Sequence, residues 1–412
     1  MRILLVSSQF PPTPGGGGTY THYLSMALAS LRTSGGRAKC EINVLTSGGN
    51  QPCVEKLQPN LRIHRGTFLR SGNVPFEKTV RYGLGLCRDF KPQVIHGQHF
   101  DGVYVATQLR ATCPDAVVVG SFHKSASGVC VRGHERSDPR AAAIVSMAPL
   151  LDAFVPTCSL YRRELTELGV PPGKIHTILP GLDMHRVVPL AAGNMEPTRL
   201  ALRGTGFSTE SYRFVIVCPA RLDPAKDLET FIRAAGRLKR RYDQERLGFV
   251  IAGRAADPDD AELGYEADLR AIAARVGVAD DLLITGLPLE NMYSLYRLGT
   301  VCVLPSAREA FGLVLLEALA LRVPVVAANI EGILDAIRPD VDALTFEPRD
   351  DGGLANQIAR LIEERDTAGR LCDMGIQSLK TRFSQSRMGN EHYQLYWKLR
   401  NLKKATLALG RG

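Results

Sequence analysis

Nowhere in the 412 residues does an apolar run reach the length of a membrane span. The nearest approach, Gly312 to Ala328, is interrupted by Glu317 and Arg322. The opening MRILLVSSQFPP has too short an apolar core for a secretory signal and reads as a first strand. C-x-x-C is absent, and the nine cysteines, scattered from Cys40 to Cys372, are an odd number for a disulfide framework. Many sit in apolar, strand-like runs, as Cys218 does in FVIVCPA and Cys302 in TVCVLP. Reduced, buried thiols in a cytoplasmic protein are therefore expected. His96 and His99 form H-x-x-H, but no carboxylate or thiolate set completes a metal site, so neither a metal nor another cofactor is expected. The glycine run Gly15 to Gly18 is followed by no GK[ST], and it is not G-x-G-x-x-G at standard spacing. The basic clusters Lys239-Arg240-Arg241 and Arg400 to Lys404 have no aromatic residues interleaved for RNA binding, and nucleic acid is not the expected partner.

What is present is ordinary in amount and informative in arrangement. Hydrophobic residues make up 45% and charged residues 23%, enough apolar material for two or three domains at this length. Lys plus Arg is 51 against 42 for Asp plus Glu, a formal charge of +9 that favours an anionic ligand such as a phosphate or nucleotide. Short apolar runs rich in Val and Ile alternate with helical patterns. In the first half these runs are Ile3–Val6, Ile42–Leu45, Val94–Ile95, Ala116–Val119 and Ala153–Val155. In the second half they are Phe214–Val217, Phe249–Ala252, Leu282–Ile284, Val301–Leu304, Pro324–Ala327 and Ala343–Phe346. Continuous apolar strands of this kind are buried on both faces, and repeated β-α units imply open, doubly wound parallel sheets.

The rhythm breaks between Asp183 and Tyr212, which is rich in Gly, Pro, Ser and Thr and has no convincing strand. The expected organisation is a Rossmann-like domain over 1–185, a linker over 186–212, a second Rossmann-like domain over 213–385, and a final helix over 386–412 that packs back across the domain junction. Ligands of such sheets bind outside the carboxyl ends of the strands, so a site in a cleft between the domains is expected.

Four stretches carry chemistry. In SAREAFGLVLLEALALRVPVVA, Glu309 and Glu317 flank an otherwise apolar run around Phe311 and Gly312. Gly312 falls at or just before a helix N-terminus, where the amides of Gly312, Leu313 and Val314 have no intrahelical acceptor and favour an anion. A phosphate there would be flanked by two hydroxyl-binding carboxylates, which suits a nucleotide sugar. Burying Glu317 on a core helix without such a use would carry a desolvation cost. In ARLDPAKDLETFIRA, Arg221 and Lys226 follow the strand FVIVCPA and precede a helix beginning near Asp227, where two cations can neutralise a diphosphate. In SSQFPPTPGGGGTYTHYLSMALA, the glycines join the first strand to a helix starting near Thr19 and allow close backbone approach, although the run is as readily a flexible turn. In VVVGSFHKSAS, His123 lies just past a buried strand and is a candidate polar contact, with Lys124 a second.

Together these elements resemble the retaining nucleotide-sugar glycosyltransferases of family four, which have the GT-B fold, over nearly the whole chain. The most specific piece is the Glu-x7-Glu signature EAFGLVLLE with the following PVVAANIEG. The R-x4-K pair of Arg221 and Lys226 with the preceding VCPARLD, the turn ILPGLD (Ile178 to Asp183) and the run LLITGLPLENMYSLY follow the family's order. The resemblance implies that Glu317 binds ribose hydroxyls and Glu309 those of the transferred sugar. It implies that Arg221 and Lys226 bind the diphosphate, and that amides from Phe311 through Gly312 and Leu313 to Val314 support the sugar and β-phosphate. Gly16 and Gly17 would meet donor phosphate and acceptor, backbone groups near Leu287 would read the base, and His123 would contact the sugar near the reacting carbon. Where the family often has Gly-Gly-x-Pro-Glu, this chain has Glu331-Gly332-Ile333-Leu334-Asp335, a departure in the loop that bears on sugar choice.

The expected activity is metal-independent, retaining transfer from a nucleoside diphosphate sugar, with UDP preferred and GDP second. The acceptor is polar, such as a cyclitol or aminoglycoside core or another natural product. The alternatives are a sugar phosphorylase or nucleotide-sugar epimerase on the same fold, or an inactive nucleotide-sugar-binding protein.

Overall fold

The computed structural model describes residues 1–412 apart from 14, 48–52, 67–75, 124–129, 132–133, 136–138, 254–259, 287–288 and 410–412. The chain divides into two compact units, Met1–Gly181 with Phe383–Gly412, and Leu182–Arg382.

The strands of the first unit are β1 (Arg2–Ser7), β2 (Glu41–Ser47), β3 (Cys53–Gln58), β4 (Leu61–Gly66), β5 (Val94–Gln98), β6 (Val117–Ser121), the short pair β7 (Cys130–Val131) and β8 (His134–Glu135), and β9 (Ala153–Phe154). Helices α1 (Gly16–Ser30), α2 (Phe76–Phe90), α3 (His99–Leu109), α4 (Pro139–Met147) and α5 (Ser159–Glu167) run between them. The main sheet has the order β3-β4-β2-β1-β5-β6-β9, with β7 and β8 paired separately. Every neighbouring pair in the main sheet is parallel except β3 with β4. Ile3, Leu4, Leu5 and Val6 are fully buried, which explains why β1 reads as an unbroken apolar run. The antiparallel edge was not expected from sequence. β3 is exposed along nearly its whole length and carries Glu55 and Lys56, charges that suit an unpaired edge. β4 is interrupted by Arg62, His64 and Arg65.

The second unit opens with α6 (Met184–Ala192) and α7 (Glu196–Arg203), followed by β10 (Phe214–Cys218), α8 (Leu228–Arg241), β11 (Leu247–Ala252), α9 (Asp260–Val276), β12 (Leu282–Thr285), α10 (Leu289–Leu298), β13 (Val301–Leu304), α11 (Leu313–Ala320), β14 (Val325–Ala328), α12 (Glu331–Leu334), β15 (Leu344–Phe346), α13 (Asp351–Glu363) and α14 (Arg365–Thr381). Its sheet, β12-β11-β10-β13-β14-β15, is parallel throughout. The linker expected over 186–212 is therefore corrected. Leu202 of α7 and Phe207 are buried with Val215, Val217 and Val250, so the segment helps to build the second core. It contains no strand, as read from sequence, but two helices. In α8, Leu228, Phe231, Ile232, Ala235 and Leu238 are buried at helical spacing. Lys239, Arg240 and Arg241 occupy its last turn, where cations complement the helix dipole, and Lys239 and Arg241 pair with Asp281 and Glu363.

The chain then returns to the first unit as α15 (Gln385–Leu409). Met388, His392 and Tyr396, spaced by one turn each, are fully buried. Gly389 lies so close to α1 that a Cβ there would meet the Ala27 carbonyl carbon at 3.0 Å. The expected helix is present, and it belongs to the first unit.

Within each sheet the strand order reverses once. In the first unit β1 lies between β2 and β5, and in the second β10 lies between β11 and β13. Chain segments leaving adjacent strands at such a switch point diverge to opposite faces and leave a crevice at the carboxyl ends. Among the described residues, the predicted site residues follow β1, β6, β10 and β13.

Candidate functional site

In the second unit, β10 delivers Arg221 and Lys226, and β13 delivers Glu309. Lys226 Nζ lies 2.5 Å from Glu309 Oε2, with both side chains about one-seventh exposed (15% and 14%), so solvent screens the pair only in part. The two positions are 83 residues apart and meet because β10 and β13 are neighbours. Glu309 Oε2 also faces Ser306 Oγ at 3.5 Å, and the Arg308 amide donates to the Ala225 carbonyl at 3.1 Å, stitching the two loops together. Arg221 Nη2 donates to Asp223 Oδ2 at 3.2 Å. The other Asp223 oxygen accepts the Ala225 amide at 2.9 Å and so caps the turn that presents Lys226. The turn ends at Asp227, which has φ 48° and begins α8, at the position read from sequence.

Gly312 caps α11 with φ 78° and ψ 64°, a left-handed conformation that favours glycine. This geometry turns the chain from Phe311 into the helix and presents the amides of Leu313 and Val314 at its N-terminus. Glu317 sits about one turn further on. It is 8% exposed on an otherwise apolar helix and accepts a hydrogen bond from Tyr296 Oη at 3.0 Å. Burial, and then the neighbouring Glu317 carboxylate, push the Tyr296 hydroxyl well above its ordinary value, so Tyr296 remains a donor. Gly332, at the start of α12, supports the Glu309 loop from behind, and a Cβ on it would lie 2.1 Å from the Glu309 carbonyl oxygen. Leu287, read as the base contact, lies outside the described residues, as does Lys124.

In the first unit, β1 leads to the glycine run, β5 to His99 and β6 to His123. The helix begins at Gly16 rather than near Thr19, so the glycines form its first turn and not a loop before it. Gly17 has a clear steric reason: a Cβ there would fall 1.9 Å from His99 Cε1. Around Gly16 a Cβ would meet nothing within 4 Å. His99 itself has φ 62°, uncommon for a residue with a side chain. His123 Nε2 and Gln98 Oε1 are 2.7 Å apart, and the His123 ring lies 4.7 Å from both the His99 and Tyr20 rings. Burial, followed by the neighbouring His99 and His96, hold His123 well below the usual histidine range, so it is neutral at pH 7. His96 of the H-x-x-H pair is fully buried. Its Nδ1 meets Tyr396 Oη at 2.6 Å and its Nε2 meets Ser121 Oγ at 2.8 Å, so both ring nitrogens have protein partners and the residue is structural.

Thus Lys226, Glu309, Gly312 and the α11 amides gather in one unit with Arg221 beside them, and Gly17 and His123 gather in the other. No sequence signal marks the Lys226–Glu309 pair, Tyr296 as the partner of Glu317, or Gln98 beside His123. Each depends on which strands or helices become neighbours. Of the nine cysteines, the eight with described side chains form no disulfide. Among the described residues no helix is long and apolar enough to cross a membrane.

Residues 207–377 match the family model described as glycosyl transferases group 1, and residues 14–186 match that described as glycosyltransferase family 4. A D-inositol 3-phosphate glycosyltransferase of Salinispora arenicola is 30% identical over 56% of this chain and 52% of its own length. The chain spans about half the length of the first of these curated relatives. One of the same description from Corynebacterium efficiens is 27% identical over 96% of this chain and 95% of its own. Among solved structures, sucrose-phosphate synthase of Thermosynechococcus elongatus aligns with TM-score 0.78 and 21% identity over 97% of this chain and 99% of that one. Anabaena HepE, in complex with UDP and glucose, aligns with TM-score 0.75 and 16% identity over 96% and 99%. The two Rossmann-like parallel-sheet units are those of the GT-B fold.

Proposed function

Since the chain belongs to the family-four glycosyltransferases, we propose that it moves a sugar from a nucleoside diphosphate sugar to an acceptor hydroxyl with retention of configuration. The observation that carries this reading is the Lys226–Glu309 ion pair beside the Gly312-capped N-terminus of α11, with Glu317 buried one turn inside. A diphosphate placed on the α11 amides meets Lys226 and Arg221. The carboxylates on either side are then free to accept hydroxyls, Glu317 from the ribose and Glu309 from the sugar. Lys226 leaves its internal partner for the phosphate, which in turn releases Glu309.

The bond from the anomeric carbon to the diphosphate oxygen breaks as negative charge grows on that oxygen. Arg221, Lys226 and the helix amides stabilise that charge, and no metal ion enters the proposal. The acceptor oxygen bonds to the anomeric carbon on the face that the diphosphate leaves while the departing oxygen takes the acceptor proton, so the configuration is retained. Glu309 and Glu317 both serve the donor, unlike the paired acid and nucleophile or base of a glycosidase. We assign Gly17 and the neutral His123 of the first unit to the same reaction, in the roles the resemblance implies.

The UDP complex of Anabaena HepE supports uridine as the base. The names of the curated relatives support a cyclitol phosphate as acceptor, in line with the small polar acceptor read from sequence. The described cysteines form no disulfide, which supports a reaction in a reducing compartment such as the cytoplasm. Calorimetric titration with UDP, GDP and ADP, alongside Glu317→Ala, tests the donor site. UDP should bind and the variant should lose it. If none of the three nucleotides binds, the proposed role of Glu317 and Glu309 is wrong.

A further inference from the structure

The carboxyl ends of β1, β5 and β6 hold Gly17, His99 and His123. The opposite ends of the same strands open onto a groove of about 830 Å³. Its walls come from Arg2 at the start of β1, from the residues just before β5 and β6, from the end of α2 and from one face of α15. Arg2, Arg88, Lys91, Arg400 and Lys404 line it, against the single carboxylate of Asp115. Among the described residues none of these five cations is in an ion pair. The ion pairs nearby instead join Arg110 and Lys403 to Asp152.

Helix dipoles account for only part of this concentration of charge. Arg88 sits in the last turn of α2 and Lys91 follows it, where cations are favoured. Arg400 and Lys404 precede the last turn of α15, which holds no basic residue, and Arg2 is on a strand. Like charges converging on a concavity repel one another over distances shorter than the Debye length, about 8 Å at physiological salt. A site of this kind gains from a multivalent anion. Among the described residues the lining has no aromatic side chain on which a base could stack and no large apolar side chain that could enter a bilayer. Thr112 and Gln93 add neutral hydrogen-bonding groups, and the volume is that of a small-molecule site.

We propose that this groove binds a small molecule carrying more than one phosphoryl group, at a site separate from the nucleotide-sugar site. The inference does not depend on the donor-site reading.

Cys113 lines the same groove, is half-buried, and supplies a local probe. Its hydrogen bond with Cys87 holds its thiol below the ordinary value, which favours alkylation. The experiment uses the full chain, tripolyphosphate as ligand and iodoacetamide as label, with labelled peptides counted by mass spectrometry. Tripolyphosphate should slow labelling of Cys113 several-fold and raise the thermal midpoint. Labelling of Cys53, exposed on edge strand β3, should be unchanged. The double variant Arg88→Glu with Lys404→Glu, at two exposed positions, should lose the protection of Cys113, whereas Lys226→Ala should keep it. Unaltered Cys113 labelling at millimolar tripolyphosphate would overturn the proposal, as would protection that persists in the double variant. Sedimentation with phosphatidylglycerol vesicles, lost in that variant and without tripolyphosphate protection, would assign the patch to a membrane surface and equally overturn it.

Discussion

Adding one methyl group behind the Glu309 loop should disable sugar transfer without unfolding the protein. In Gly332→Ala the new Cβ would sit 2.1 Å from the Glu309 carbonyl oxygen and 2.6 Å from that of Ala310. Nonbonded atoms rest at roughly 3.5 Å, so the two segments must part by on the order of 1 Å. The Gly332 side resists, because α12 is only four residues long and Ile333 beside it is fully buried. The loop carrying Glu309 is held by Lys226 at 2.5 Å and by the Arg308–Ala225 bond. That loop has no helix or strand of its own between β13 and α11, so it is the segment that yields, and its movement misplaces the carboxylate. A displacement of that size in a reacting constellation costs on the order of 100-fold in rate, or about 3 kcal/mol of transition-state stabilisation. Glu317 and Tyr296 are held separately in α11 and α10, so UDP affinity should change far less than kcat. The assay is sugar transfer by Gly332→Ala, with UDP calorimetry and thermal melts in parallel. Gly369→Ala serves as control, because a Cβ there would meet nothing within 4 Å. A folded Gly332→Ala protein with kcat near wild type would refute the reasoning, as would one losing UDP binding in step with kcat.

Three further outcomes follow from the same geometry. Tyr296→Phe removes the hydroxyl that donates to buried Glu317, and should cost about 1–3 kcal/mol of stability in a denaturant melt, with UDP binding weakened rather than abolished. Gly17→Ala drives a Cβ into the His99 ring and should lower transfer while leaving UDP binding to the second unit intact, a split that calorimetry and the transfer assay together detect. In the first unit, burial holds His392 at about 4, with Arg387 also lowering it and the Met388 carbonyl acting in the opposite sense. A histidine with a depressed folded pKa adds stability that is complete above the unfolded value of about 6.5 and is lost as pH falls towards the folded value. His392 alone should therefore cost about 3 kcal/mol between about pH 7 and pH 4, a slope that His392→Leu should flatten in urea titrations.

The sheets were legible because parallel strands covered on both faces must be continuously apolar, as Ile3 to Val6 and Phe249 to Ala252 are. β3 and β4 were not legible, because an edge strand needs no apolar pattern and β4 mixes Leu61 and Ile63 with Arg62 and His64. The segment 186–212 was misread for the opposite reason. Its contribution to the core rests on a few residues such as Leu202 and Phe207, set among glycine and polar residues that read as a linker. Site residues were legible where local structure alone presents them, as at the Gly312 cap and the Asp227 helix start. The Lys226–Glu309 pair and the Gln98–His123 contact were not, since nothing in either stretch records which strand lies beside it.

The return of the chain as α15 sets an order on biosynthesis. The second unit is one continuous stretch, complete once Arg382 has been made. The first unit begins with Met1 yet lacks the helix whose His392 meets Tyr20 and whose Tyr396 meets His96. Until those late residues leave the ribosome, the buried polar atoms of Tyr20 and His96 have no helix to bond. The usual N-terminal-first sequence is thereby inverted. A chain that stops just after Arg382 would carry a finished second unit and an open first one, and would be a natural client for chaperones.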